Sequence, residues 1–276
     1  MSFVSETNMR LSKKQLSMPF KKQAGFSIVE LMIAGTLGLI LLAGVIQLFT
    51  GSQRTYTLQN ELAGLQEDGR FALMLLERQV QKSSWNPDVV ADPPTAIDIA
   101  SSTDGFNDSV TFSFKGEIDG IDNLDCNNIA IADGVVINRF FVQSEQLMCQ
   151  GNGGGDPQVF VDNVDKFQLL YGVETDLSCA DGVVNSYMTK NVLDGNILLS
   201  ERILSVRFSL LLKSERNLLS TTASDTYQML DESYTPAADK LVRRLFQQTV
   251  FMPNAVYMTV GTPKSVIDCM STNATI

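Results

Sequence analysis

Lys21-Lys22-Gln23-Ala24-Gly25-Phe26-Ser27-Ile28-Val29-Glu30-Leu31 is the stretch that decides how this chain is read. Basic residues give way to a glycine, then a phenylalanine, then an apolar run with one carboxylate near its start. From Leu31 to Ile46 the only polar residue is Thr36. About 20 mostly apolar residues cross the hydrocarbon of a bilayer, so the run predicts a membrane helix. Glu30 needs an explanation, because a charge held in lipid costs about 2.5–3.5 kcal/mol on insertion scales. At the end of the helix it reaches the headgroups and costs less. A secretory signal would show a short apolar region and then an Ala-x-Ala-like cleavage site. Here the chain continues Gln47-Leu48-Phe49-Thr50-Gly51-Ser52-Gln53-Arg54 without such a site, and the helical pattern does not stop. A secretory-type cut after the apolar segment is therefore not expected, and the segment stays in the product.

The pattern runs well past the membrane. Leu58, Leu62, Leu65, Ala72, Leu76 and Val80 recur mostly at spacings of three and four, with Gly69 filling the gap in the stripe. Ser83-Ser84-Trp85-Asn86-Pro87 ends it. A helix from Phe26 to Lys82 would be about 85 Å long at 1.5 Å per residue. Its first half is apolar on every side and needs lipid or other apolar helices. Its second half is amphipathic and needs a globular domain to lie on. Gly35, Gly38 and Gly44 lower helix propensity in the apolar half, where small residues also permit close helix packing.

The chain has 276 residues, 44% hydrophobic and 19% charged, enough for one sizeable globular domain beyond the membrane segment. Its net charge is −10. Residues 1–25 hold Arg10, Lys13, Lys14, Lys21 and Lys22 against Glu6, so their removal leaves −14. Basic residues before the apolar run place the N-terminus in the cytoplasm and export the rest. The acidic balance of the exported part argues against direct nucleic-acid binding, which needs Lys and Arg to displace counterions. Cys126, Cys149, Cys179 and Cys269 all lie in the exported part, where disulfides persist. With no Cys-x-x-Cys pair and no histidine they do not form a zinc set. Four cysteines allow three pairings. Cys126 and Cys149 flank a hairpin-like segment, Asn127 to Met148, and strand pairing would bring them together, leaving Cys179 for Cys269.

Strand-like runs follow at residues 109–114, 134–142, 158–161, 165–173, 203–212 and 245–252, several alternating apolar with polar as half-buried antiparallel strands do. Phe167, Leu169 and Tyr171 are expected on one face, and Val206, Phe208 and Leu210 likewise. Residues 88–108 read as a loop with short structure, and Ser214 to Lys240 as a long exposed connection. No enzyme is expected. There is no histidine, no Gly-x-Ser-x-Gly elbow and no phosphate loop, and the scattered carboxylates read as solvated surface.

Gly25-Phe26-Ser27-Ile28-Val29-Glu30 behind a basic leader resembles the processing site of type IV prepilins. Four further segments resemble the PilW family of minor pilins. These are Gln53–Tyr56 with Leu65–Leu73, Val136–Val142 leading to Leu147–Gly151, Val161–Val173, and Val206–Leu212 with Arg243–Val250. Tyr171-Gly172-Val173 and Arg243-Arg244 point most directly to that family. The resemblance implies cleavage after Gly25 by a prepilin peptidase, N-methylation of Phe26, and an assembly role for Glu30. It implies an α+β fold with a long N-terminal pilin helix packed on an antiparallel β-sheet head. The domains would be a leader at 1–25, a transmembrane or filament-core helix at 26–49, its amphipathic half at 50–84 and a β-rich head at 85–276. The function implied is a minor pilin that helps initiate and cap the pilus at its tip, supporting twitching motility, adhesion or DNA uptake. Its partners would be other minor pilins, the major pilin and the peptidase. It would sit in the bacterial inner membrane with a periplasmic head before assembly, and at the cell surface afterwards. No cofactor is implied. The loop Glu174–Gly182 matches a family calcium loop only in part, since Leu177 and Cys179 stand at ligand positions. Two other readings share the N-terminal features: a J-type tip pseudopilin of a type II secretion system, and a membrane-anchored adhesin that does not polymerise.

Overall fold

The computed structural model describes residues 25–86, 96–116, 123–132, 134–176 and 182–255. The chain divides into two compact units, Met1–Gln53 and Arg54–Ile276. The described part of the first is the beginning of helix α1, which runs from Ile28 to Lys82. The second takes in α1 from Arg54 onward together with the β-rich head. The boundary falls four residues inside the expected amphipathic half.

α1 stops where the sequence predicts. The Ser83 hydroxyl donates to the Gln79 carbonyl at 2.9 Å, and Ser84 takes a left-handed backbone with φ 62°, a conformation that ends many helices. Ser84 N–H then donates to Ser113 O at 2.9 Å, which passes the chain to the first sheet.

Among the described residues the head holds two four-stranded antiparallel sheets. One is a meander of β1 (Val110–Lys115), β2 (Val135–Gln143), β3 (Gln146–Gly151) and β4 (Gln158–Val161), in that order. The other contains β5 (Val164–Val173), β6 (Ser186–Met188), β7 (Ile203–Lys213) and β10 (Arg243–Phe251), ordered β10-β7-β5-β6. One-turn helices α2 (Lys190–Leu193) and α3 (Ile197–Ser200) precede β7, and a hairpin of β8 (Tyr227–Met229) and β9 (Glu232–Tyr234) precedes β10.

Leu65, Gly69, Ala72, Leu76 and Val80 are the buried residues of α1, the C-terminal part of the predicted stripe. Leu58 and Leu62, also in that stripe, are only half-buried. The stripe joins a core with Phe112, Phe140, Phe167 and Phe208. Phe167 and Phe208 stack at 6.2 Å between centroids. Polar contacts fasten the helix end to both sheets. Asn138 Nδ2 donates to Gln79 Oε1 at 3.1 Å and Gln248 Nε2 to Glu77 Oε2 at 3.0 Å. Asn254 Nδ2 donates to the carbonyls of Gln81 and Ser83.

At Gly69 α1 approaches the second sheet closely. A Cβ there would overlap the ring of Phe246 on β10. Gly69→Ala gains about 1 kcal/mol of helix propensity, but overpacking typically costs about 1–3 kcal/mol. We expect a net loss of about 1 kcal/mol, read as a lower urea midpoint with unchanged slope. A midpoint that rises would show that Phe246 moves aside at no cost.

Three expectations are corrected. First, the hairpin is β2–β3, turning at Ser144 and Glu145 with positive φ, not Asn127 to Met148. Second, Ser214 to Lys240 is not simply an exposed connection. It contains the β8–β9 hairpin, with Met229 fully buried. Third, β5 and β7 are not half-buried. Lys166, Gln168, Leu170, Ser205, Ser209 and Leu211, on the face away from α1, are buried as well. The cause is a covering layer. Gln168 Nε2 donates to the carbonyls of Gly105 and Phe106. Lys166 Nζ lies 5.0 and 5.1 Å from the ring centroids of Phe106 and Tyr234 and 2.7 Å from Glu232. That ammonium, 3% exposed, fastens the hairpin by charge and by cation–π attraction.

Cys126 and Cys149 form a disulfide with Cα atoms 6.2 Å apart. The bridge ties the loop before β2 to β3. In that loop Asp125, 5% exposed, accepts the N–H groups of Asn127, Ile129 and Gly153 at 2.8–2.9 Å. Cys179 and Cys269 lie outside the described residues. A loop of 23 residues gives about 3 kcal/mol by the chain-entropy relation. The paired substitution Cys126→Ser with Cys149→Ser should lower stability by that order, and non-reducing peptide mapping of the parent should return a Cys126–Cys149 peptide. Recovery of Cys126 joined to another cysteine would contradict the fold.

Candidate functional site

The segment that the sequence singles out is the start of α1. Gly25, Phe26 and Ser27 precede the helix without regular structure, and the first helical bond runs from Leu31 N–H to Ser27 O at 3.1 Å. Glu30 stands in the first turn. The free N–H groups of a helix start favour an anion there, so a carboxylate at this position costs less than one at mid-helix. Gly25 is exposed, and among the described residues nothing lies within 4 Å of where its Cβ would be. The backbone at Gly25–Phe26 is outside the helix, and no described residue covers it.

Every residue from Phe26 to Thr50 is exposed. Phe26 (83%), Leu41 (71%) and Leu48 (77%) show the extent of it. α1 is long and apolar enough to cross a membrane, with a mean hydropathy of 2.3 in its most apolar window. Burying a side chain of this kind gains about 1.5–3 kcal/mol. A run of them left in water is untenable, so lipid or other apolar helices must cover it. Gly35, Gly38 and Gly44 have open space where a Cβ would stand, which lets a neighbouring helix come close.

No catalytic constellation is assembled among the described residues, and no cluster of three or more His, Cys, Asp or Glu is placed to hold a metal. Residues 177–181 of the Glu174–Gly182 loop lie outside the described part. The carboxylates, however, are not all solvated surface as the sequence suggested. Asp108 and Asp125 are buried as acceptors of backbone N–H groups. Burial pushes the Asp108 carboxyl up to about 7. Nearby Asp104 and Asp231 add to this, and N–H donors from Leu169 and Gly105 oppose it. Arg243, which the sequence marked only as part of a family segment, is an ion-pair centre. Its Nε meets Asp165 at 2.6 Å, and its two amino groups meet Asp239 at 2.8 and 2.6 Å. Hydrogen bonding to Asp239 holds the guanidinium pKa above its ordinary value. Tyr171, fully buried, is raised above the ordinary tyrosine range by burial. Its hydroxyl faces Ser102 without reaching good hydrogen-bond geometry. These groups build the head.

Residues 132–254 match the model of the PilW family, described as Type IV Pilus-assembly protein W. No curated protein matches the chain. Among solved structures, the Type IV-like pilin TTHA1219 from Thermus thermophilus is similar at 13% identity, over 69% of this chain and 96% of that one, with a TM-score of 0.42.

Proposed function

We propose that this chain is a minor pilin, a low-abundance subunit that helps initiate and cap a type IV pilus at its tip. One observation carries the reading: a wholly uncovered apolar half-helix, with a carboxylate in its first turn and an exposed glycine just ahead, heads a chain whose residues 132–254 match a pilus-assembly family. In this reading a prepilin peptidase cuts after Gly25, and Phe26 becomes the methylated N-terminus. The apolar half of α1 rests in the inner membrane, with the head in the periplasm. It then exchanges lipid for the helices of other minor pilins and the major pilin. The tip position would serve twitching, adhesion or DNA uptake. The test is deletion and complementation, counting pili by electron microscopy and assaying secreted proteins in the same cells. Loss of pili with normal secretion supports the reading. Loss of secretion with normal pili would move the chain to a pseudopilin of a secretion system.

Glu30 is assigned the assembly step. A carboxylate in apolar surroundings needs a partner, and the free amine of Phe26 on an adjacent subunit is the natural one. Glu30→Leu should be cut and inserted normally yet give several-fold fewer pili. Undiminished piliation in that variant would remove the role.

A further inference from the structure

The strand edges of the head are not treated alike. β5 turns the N–H groups of Phe167 and Leu169 away from β7, and two side chains stand in for a neighbouring strand. Asn107 Oδ1 accepts from Phe167 N–H and Asp108 Oδ2 from Leu169 N–H, both at 2.8 Å. Asp108 N–H donates to Phe167 O at 2.9 Å. β1 is bridged at Phe112 by Ile97, and Ser109 just ahead of it by Thr103. β4 and β6 are only four and three residues long. β10 is the exception. It has nine residues, pairs with β7 along its whole length without a bulge, and contains neither proline nor lysine. Among the described residues no strand lies on its other side.

The register tells which groups face outward. Met252 N–H donates to Leu204 O and Ser214 N–H to Val242 O, both at 2.8 Å. Even-numbered positions of this strand are therefore the ones bonded to β7. An antiparallel ladder alternates strictly, so the N–H and C=O groups of Arg243, Leu245, Gln247, Thr249 and Phe251 point away from the sheet. Such an edge is a template for another strand.

A groove of about 400 Å³ runs beside this edge, lined in part by Arg207, Gln228, Leu230, Gln247 and Thr249. Its single charge is cationic, in a chain of net charge −10. The Arg207 guanidinium stacks 3.9 Å from the Tyr187 ring centroid, and its Nε donates to Thr249 Oγ1 at 3.0 Å. Its terminal amino groups have no acceptor among the described residues.

We propose that the outer edge of β10 receives an extended strand from a different pilus subunit, with an acidic side chain of that strand seated over Arg207. This rests on the pilin reading above. A second copy of the chain is the wrong occupant. Gly69 meets Phe246, Glu77 meets Gln248 and Gln81 meets Asn254, so α1 and β10 run in the same sense. Two copies joined by antiparallel β10 edges would point the packed parts of α1, residues 54–82, in opposite directions, whereas the subunits of one filament all stand the same way up.

The test uses the full chain returned to cells lacking the gene. Gln247→Pro and Thr249→Pro remove outward N–H groups and spare the β7 ladder, whereas Gln248→Pro breaks that ladder and serves as the unfolded control. Arg207→Glu leaves the backbone untouched and reverses the groove charge. We expect at least a tenfold drop in pili for Thr249→Pro and Arg207→Glu at normal protein level. We also expect Thr249→benzoylphenylalanine to photo-crosslink to another pilus subunit, an adduct that Arg207→Glu removes. Normal piliation in Thr249→Pro and Arg207→Glu, an adduct only with a second copy, or no adduct would each overturn the proposal. Pili unaffected by deleting the gene would instead overturn the pilin reading, and the crosslink would then decide the edge by itself.

Discussion

Raising the pH from 4 to 8 should cost the folded chain about 2–4 kcal/mol through Asp108 alone. Its carboxyl titrates near 7 when folded, against 3.8 for an ordinary aspartate. A folded-state value above the unfolded one means that the native chain holds the proton more tightly. The stabilisation is complete below about pH 3.8 and is lost as the pH rises through about 7. At about 1.4 kcal/mol per pH unit, the full displacement is on the order of 4 kcal/mol. Asp108→Asn keeps an acceptor for Leu169 N–H and removes the titration. It should match the parent, or fall about 1 kcal/mol short, at pH 4, and exceed it by about 1–3 kcal/mol at pH 8. Urea midpoints of both chains in detergent across that range give the difference curve, from which other carboxylates largely cancel. A flat difference would mean that the Asp108 carboxyl is as easily ionised in the head as in water.

The second large effect is all-or-none. Gly25→Val should leave residues 1–25 attached and abolish function in pilus assembly. The reason is steric: the residue before the cut must enter a peptidase cleft, and Gly25 lies in irregular, exposed backbone with no side chain to obstruct entry. Intact-mass measurement on the membrane fraction should show the uncut chain for Gly25→Val, and a product starting at methylated Phe26 for the parent. A cut product from the valine variant would remove Gly25 from the processing role.

The long helix was legible because everything that defines it is local. The run from Leu31 to Ile46 carries its own hydropathy, and α1 ends at Lys82 because Ser83 and Ser84 follow directly. β1, β2, β4, β5, β7 and β10 were legible from β-branched and aromatic runs. What the sequence hid depends on distant partners. Lys166 reads as a solvent-facing position of a half-buried strand until Phe106 and Tyr234 close over it. Asp108 and Asp125 read as surface acids, because the N–H groups they serve come from Leu169 and Gly153, far along the chain. The β8–β9 hairpin lies in a polar stretch, where the large apolar side chain it buries is Met229. The open side of β10 is a property of strand order, which no local pattern of Arg243–Phe251 reveals.

The Cys126–Cys149 bridge also limits how far the chain can be drawn out under tension. A protein that is pulled lengthens by about 3.3–3.6 Å for each residue released. The bridge spans 23 residues and encloses the whole of β2. Roughly 80 Å of contour is therefore withheld from extension, even after the hydrogen bonds of the sheet have given way. Force then passes from Cys126 to Cys149 through sulfur, and only reduction of that covalent link would let the enclosed segment unravel.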